Sequence, residues 1–466
     1  MDFNSSSPFP EGVISFLDTD LYKLTMQCAV FKCFREVPVT YAFTNRTPDK
    51  KLSRVAFRWL EDQIQKLGNI SLSTEEYRFL QTHCDYLAPD YLEFLKDFRL
   101  HPREQVAVTF HPIGSDTGAD DEIGDIDINI KGTWVETILY EIPILALTSE
   151  AYFKFMDTDW NYDGQEETAF DKGMRLLEAG CETSEFGTRR RRDYHTQALV
   201  FRGLVKASNE AVKKGLPGKL TGTSNVHLAM RFNIPPVGTV AHEWFMGTAS
   251  IIGDYPTATE EALRRWVSCF GTKLAIALTD TFGTQEFLRA FSKPIRPLEG
   301  EFPIETFQKE DGSVKTYAEL FDGVRQDSGD PAEFTKLMRD YYDEQGIKDK
   351  KVIVFSDSLN IDRCLEYKRV SEKFGFQPRF GVGTFLTNDF VHLKTGTKSV
   401  PMNIVIKINS AAGRPAVKIR FSDNIGKNTG DKETVERVKK ELGYVEHEWA
   451  EGDETSRWGK EGETKA

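Results

Sequence analysis

From Ile142 onward the chain repeats one pattern eight times: a short apolar run that ends in small or polar residues, followed by a segment with helical periodicity. The runs are ILALTSE, CETSEFG, KLTGTSN, VGTVAHE, IALTDTFG, GVRQDSGD, VIVFSDS and RFGVGTF. Helical spacing is plain in YHTQALVFRGLVKASNEAV, PAEFTKLMRDYYDEQG and IDRCLEYKRVSEKFG. Serial strand-then-helix units build parallel sheets. Eight of them predict an α/β fold with an irregular (β/α)8-like barrel over residues 136–386. An open doubly wound sheet is the alternative, because ring closure is not written in a sequence.

Residues 1–135 mix helical patterns with alternating runs, such as VTYAFTNR at Val39–Arg46 and EQVAVTF at Glu104–Phe110, and read as an α+β domain. SDTGADDEIGDID, at Ser115–Asp127, has the acidic, glycine-containing composition of a solvated loop and lacks calcium-loop spacing. The 291–322 insertion, with three prolines, is too long for a tight connection and reads as cover for one rim. NIVIKIN, AVKIRFS and the charged helix ETVERVKKELGY lie in residues 387–450, which are expected to rejoin the N-terminal domain. Residues 451–466 lack apolar periodicity and read as a flexible tail.

Composition limits the partners. The 466 residues carry 60 Lys plus Arg against 72 Asp plus Glu, a net charge of −12. That balance opposes nonspecific binding to nucleic acids or anionic membranes. No uncharged apolar run approaches the ~18 residues of a membrane span, and the start lacks a secretory pattern, so a cytoplasmic or nuclear protein is expected. The six scattered cysteines, with no C-x-x-C pair, are expected to be reduced.

In strand-then-helix folds the carboxyl ends of the strands face one shared mouth. Those ends supply Ser184, Glu185, Phe186, Ser224, Asn225, His242, Glu243, Asp280, Arg325, Asp327, Asp357, Gly381 and Gly383. Carboxylates, arginines, a histidine and glycines converging there suit an anionic, hydroxyl-rich substrate. In FGTRRRR, Phe186–Arg192, at least one guanidinium should clamp a phosphate or carboxylate while the others are solvated or paired. GVGT, Gly381–Thr384, offers unobstructed N–H groups to a phosphate, or else a closely packed turn. Asp330 in RQDSGDP should cap the following helix, and Asp357 should either bind hydroxyls or cap the next one. His242 on its own could be a structural histidine; nothing near it has zinc-helix spacing.

Taken in order, LDTDLYKLTMQ, TYAFTNR, WVETILYEIPILALTSEAYF, EFGTRRRR, GTSN, GTVAHEW, LTDTFGT, GVRQDSGDP, FSDSLN, FGVGT and SDNIGKNTGD resemble the nicotinate phosphoribosyltransferase family from about Ser15 to Trp449. The departures lie mainly in the acidic loop near Asp120 and the insertion near Glu299. The resemblance implies transfer of the phosphoribosyl group of phosphoribosyl pyrophosphate to nicotinate, giving nicotinate mononucleotide and pyrophosphate. It implies an ATP-coupled, ligase-type enzyme of NAD biosynthesis by nicotinate salvage. Magnesium is then expected on substrate phosphates and water rather than in a protein cage, with Asp327 and Asp357 holding ribose hydroxyls or metal-bound water.

On the same resemblance His242, Arg325 and Asp327 are the expected catalytic residues, with His242 phosphorylated by ATP. Gly381, Gly383 and Thr384 would receive the 5′-phosphate, and Lys418 and Lys427 are weaker candidates for polyphosphate contacts. Tyr22 and Phe186 are expected to stack on the pyridine ring, core packing being the alternative for each. Arg189 or Arg325 would bind the nicotinate carboxylate, and Ser224, where nicotinamide-using relatives place an acid, would select acid over amide. Because the N-terminal tyrosine segment can complete a neighbour's site in such enzymes, a head-to-tail homodimer is expected, with a monomer as the alternative. A barrel glycoside hydrolase would share the strand-end carboxylates but not the arginine clamp beside a glycine turn. A noncatalytic nucleotide sensor would have no use for an intact His242.

Overall fold

The computed structural model describes residues 9–300, 302–419, 428–446 and 458–460. Six of the eight runs form strands: Glu182–Glu185, Lys219–Thr223, Ile276–Leu278, Gly323–Gln326, Val352–Phe355 and Gln377–Val382. All pair in parallel. Ile276–Leu278 is buried at every position, which is why its run is continuously apolar rather than alternating.

Across the sheet the strands follow the order Lys219–Thr223, Glu182–Glu185, Gln377–Val382, Val352–Phe355, Gly323–Gln326, Ile276–Leu278. The first strand in the chain therefore pairs with the last, as in a ring, and the remaining strands follow sequentially. No ladder joins Lys219–Thr223 to Ile276–Leu278 among the described residues. The expected eight-stranded barrel is corrected to a six-stranded parallel sheet with ring-like order and one open seam.

Both missing strands have a local cause. ILALTSE lies inside the helix Glu141–Phe155, which is buried on nearly every side; a fully apolar run does not separate a buried helix from a buried strand. VGTVA runs beside the seam, where the Val237 N–H donates to the Thr223 carbonyl at 2.9 Å, but it forms only an isolated bridge. It ends where the helix His242–Ile252 begins, so the seam delivers His242 to the strand ends.

A second, antiparallel sheet places Pro38–Asn45 between Ile123–Thr133 and Ile404–Ala411, so a C-terminal strand pairs with an N-terminal one. The acidic stretch is only partly a loop, since its end from Ile123 is a strand, and Arg54 and Arg58 pair with Asp116, Glu122 and Asp120. The 291–322 insertion packs inward: Phe307 and Tyr317 are buried and Phe302 lies against Gly271. Of AVKIRFS, Lys418 bridges Thr429 and the rest adds no strand among the described residues. The expected flexible tail is corrected in part, because Trp458–Lys460 pairs with Tyr444–Glu446; its other residues lie outside the described ones. All six cysteines are free thiols, five of them buried. No helix among the described residues is long and apolar enough to cross a membrane.

Candidate active site

The strand ends open into a cavity of about 500 Å³. Of the residues singled out by sequence, Tyr22, Phe186, Arg189, His242, Arg325, Asp327, Asp357, Gly381, Gly383, Thr384 and Lys418 all line it. Ser224 does not: it is buried, and its hydroxyl donates to Asp20 Oδ1 at 2.8 Å, which corrects its placement in the substrate pocket. Lys427 lies outside the described residues.

His242 occupies the first turn of its helix. Its Nδ1 is 2.9 Å from Thr281 Oγ1, and its Nε2 is 2.7 Å from Lys418 Nζ and 3.0 Å from Asp327 Oδ2. These two Nε2 contacts exclude each other, because an ammonium only donates and a carboxylate only accepts. Burial and then Lys418 lower the histidine pKa, against the pull of Asp280 and Asp327. A neutral ring follows, and the tautomer that carries its proton on Nδ1 toward Thr281 leaves the Nε2 lone pair to accept from Lys418.

Asp327 follows the strand Gly323–Gln326. Burial works against its charge, but the Arg325 guanidinium holds its pKa well below the ordinary carboxylate range. Arg325 is largely committed: Nη2 donates to Asp327 Oδ1 at 2.7 Å, Nε to Ser356 Oγ at 2.9 Å and Nη1 to the Val240 carbonyl at 3.3 Å. Arg189 is freer, with Glu141 at 3.6 Å and a side chain 42% exposed toward the mouth.

The four arginines divide into two pairs. Arg189 and Arg190 line the cavity, and Arg190 also holds Asn403 Oδ1 at 2.9 Å. Arg191 is buried in a two-pronged pair with Asp18, at 2.7 and 2.8 Å. Arg192 is buried against Phe153 and Phe390 and donates to Asn388 and Ser399. The inner pair is therefore a structural anchor for the outer one.

Asp330 caps the helix Pro331–Glu344 through the N–H groups of Ala332 and Glu333, as expected. Asp357 is exposed at the mouth, and the next helix is capped by Asn360 instead. Gly381 admits a ring: a Cβ there would lie 2.4 Å from Phe186 Cδ2. Tyr22 lines the cavity within its own chain.

Asp280 was visible as a strand-end acid but received no role from sequence. It is 3.1 Å from Lys418 Nζ and accepts from Ser328, while its buried Oδ1 has no hydrogen-bond partner among the described residues. Ligand atoms of His242, Asp280 and Asp327 lie within 4.8 Å of one another, close enough to hold a cation. Lys418 already sits against two of the three, so a metal would compete with its ammonium. The donor set therefore fits a cation shared with substrate phosphates better than a resident protein-only ion. Arg46, Lys23 and Glu141 were missed and Glu243, a strand-end acid, received no role; Arg46, Glu141 and Glu243 line the cavity, and Lys23 is buried between the two glutamates.

Fold and site together define an α/β protein whose strand ends gather cationic side chains, acids and an imidazole around one cavity. Residues 181–446 match the nicotinate phosphoribosyltransferase (NAPRTase) family and residues 17–149 match its N-terminal domain. The chain belongs to the nicotinate phosphoribosyltransferase family. It is 45% identical over 433 residues to a probable nicotinate phosphoribosyltransferase of Schizosaccharomyces pombe, covering 92% of this chain and 98% of that one. It is 43% identical over 455 residues to the nicotinate phosphoribosyltransferase of Saccharomyces cerevisiae, covering 95% and 98%. A crystal structure of a putative S. cerevisiae nicotinate phosphoribosyltransferase superposes with a TM-score of 0.83 at 41% identity, covering 94% of this chain and 100% of that one. The Porphyromonas gingivalis enzyme gives 0.76 at 31% identity, covering 92% and 99%.

Proposed function

We propose that this chain transfers the phosphoribosyl group of phosphoribosyl pyrophosphate to nicotinate, coupled to ATP hydrolysis through a phosphohistidine at His242, in salvage of nicotinate for NAD synthesis. The observation that carries this reading is the meeting of a neutral, cavity-facing His242 with Arg189, Phe186 and the GVGT turn in one pocket of a chain belonging to this family. Transfer to nicotinate forms a bond from the pyridine nitrogen to the anomeric carbon and releases pyrophosphate. The sugar gains oxocarbenium character as the leaving group gains negative charge, so positioning and charge stabilisation dominate catalysis.

Arg189 receives the nicotinate carboxylate, since Arg325 is held by Asp327 and Ser356. Phe186 and Tyr22 offer aromatic faces to the ring. Asp327 and Asp357 face ribose hydroxyls, and Gly383 and Thr384 face the 5′-phosphate. For ATP coupling, His242 Nε2 forms the N–P bond to the γ-phosphoryl as its bond to ADP breaks, and water later releases phosphate. Lys418 has to leave the Nε2 lone pair first, and the incoming phosphate is a natural acceptor for its ammonium. Magnesium, bound through substrate phosphates with Asp280 and Asp327 in support, would neutralise the pyrophosphate charge.

A coupled assay for nicotinate mononucleotide, run with and without ATP, tests the reading. Product that depends on both substrates and rises with ATP is the expected result. No product from nicotinate and phosphoribosyl pyrophosphate refutes the transferase and leaves the nucleotide sensor.

A further inference from the structure

Beside the ring pocket lies a buried charge cluster that the reaction described above does not use. Lys23 is fully buried, one residue after Tyr22, with its ammonium between two carboxylates: Glu141 Oε2 at 2.5 Å and Glu243 Oε2. Burial disfavours the ammonium, but the two acids more than offset it and raise the Lys23 pKa. Glu243 is fastened from its other side, where Oε1 accepts from Tyr41 OH at 2.5 Å and from Trp134 Nε1 at 2.9 Å. It therefore acts as an anchor. Glu141 differs, because its second oxygen turns to the cavity: Tyr22 OH donates to Oε1 at 3.4 Å, and Arg189 Nη1 lies 3.6 Å from the same atom.

We infer that Glu141 is the positioning residue for nicotinate: one carboxylate, fixed by Lys23, sets both the tyrosine and the guanidinium that receive the substrate ring and its carboxylate. This inference rests on the function proposed above. Three features favour positioning over packing alone. Glu141 lines the cavity rather than lying behind it. It opens the helix Glu141–Phe155, where the helix dipole favours an anion and backbone attachment is rigid. The charges also balance, since Lys23 and Arg189 together match Glu141 and Glu243. Asp20 and Asp327 are the other acids acting on Arg189. Neutralising Glu141 would therefore not leave the guanidinium in place but let it turn toward those two, away from the ligand. The contacts to Oε1 are long enough for Arg189 and Tyr22 to close onto a substrate carboxylate and ring without breaking the Lys23 pair.

The test is steady-state kinetics of Glu141→Gln, Arg189→Lys and the double variant, with nicotinate binding to each measured by calorimetry. We expect Glu141→Gln to raise the nicotinate KM by about tenfold or more, the scale of a misplaced binding group, and to change the phosphoribosyl pyrophosphate KM by less than about twofold. The double variant should be little worse than Arg189→Lys, because Glu141 acts through that arginine. Multiplicative losses, or equal rises in both KM values, would overturn the inference. Should Glu141→Gln not fold, Glu141→Asp keeps the charge on Lys23 but withdraws the second oxygen, and an unchanged nicotinate KM there would equally overturn it. Failure of the unsubstituted protein to bind or use nicotinate would instead refute the proposed function.

Discussion

Replacing Gly381 with alanine separates two readings of the GVGT turn. A Cβ at this position would stand 2.4 Å from both Cδ2 and Cε2 of Phe186 and 3.1 Å from its Cγ. Ordinary carbon contacts are ~3.5 to 4.0 Å, so the ring has to retreat by more than about 1 Å. The strand cannot yield instead, because Gly381 pairs with Ser184 within the parallel sheet. Nor can the Phe186 backbone, whose N–H donates to the Val382 carbonyl at 2.8 Å. The side chain therefore turns off its present course. Overpacking of this kind costs roughly 1 to 3 kcal/mol in stability, and a misplacement of about 1 Å in a reacting complex costs up to ~100-fold in rate. We expect kcat/KM for nicotinate to fall by about 10- to 100-fold while the KM for phosphoribosyl pyrophosphate moves by less than about threefold. Alanine keeps the backbone N–H, so loss of a phosphate donor would not explain such a result. Steady-state kinetics with each substrate varied in turn, alongside thermal unfolding, makes the comparison. A larger effect on phosphoribosyl pyrophosphate than on nicotinate would refute the ring-seating argument and assign Gly381 to the phosphate.

Four further outcomes follow from the same geometry. His242→Ala should abolish ATP stimulation and the acid-labile phosphate while leaving slow basal transfer; phosphate trapped on another residue would contradict the role given to Nε2. Asp18→Asn leaves the buried Arg191 without its carboxylate and should cost ~3 to 5 kcal/mol in urea unfolding, a loss below about 1 kcal/mol showing that the pair is dispensable. Burial raises the Glu150 carboxyl to about 8, so the folded state holds a proton that the unfolded chain releases near ~4.3; its contribution falls as pH rises between those values, and Glu150→Gln should match the parent at pH 4 and be the more stable at pH 9. Ser224→Asp sets a second acid against the buried Asp20 and should lower the melting temperature by several degrees; normal stability with a selective loss of nicotinate use would return Ser224 to the substrate pocket.

What could be read from the sequence follows the range of the interactions involved. A run such as VIVF announces a strand because burial on both faces demands uninterrupted apolar residues, and the polar residues after it mark the cavity because only chemistry or capping keeps acids there. That local logic pointed to His242, Asp327 and the arginine run, and it identified Asp330 as a cap. It failed where the decisive neighbour is remote. ILALTSE is apolar throughout in a helix wrapped by other elements, so the period that separates helix from strand is erased. Ser224 sits at a strand end yet turns inward, because Asp20, 204 residues earlier, holds its hydroxyl. Arg189 to Arg192 are one letter repeated, and only the packing of Asp18, Phe153 and Phe390 around two of them determines which pair faces the ligand. Lys23, Glu141 and Glu243 carry the same lesson furthest. Each stood in a recognisable motif, but an ammonium placed between acids 118 and 220 residues away has no local signature. Many of the residues that line the cavity are ones a strand-end rule can find, whereas the charges packed behind them are joined only by the completed fold.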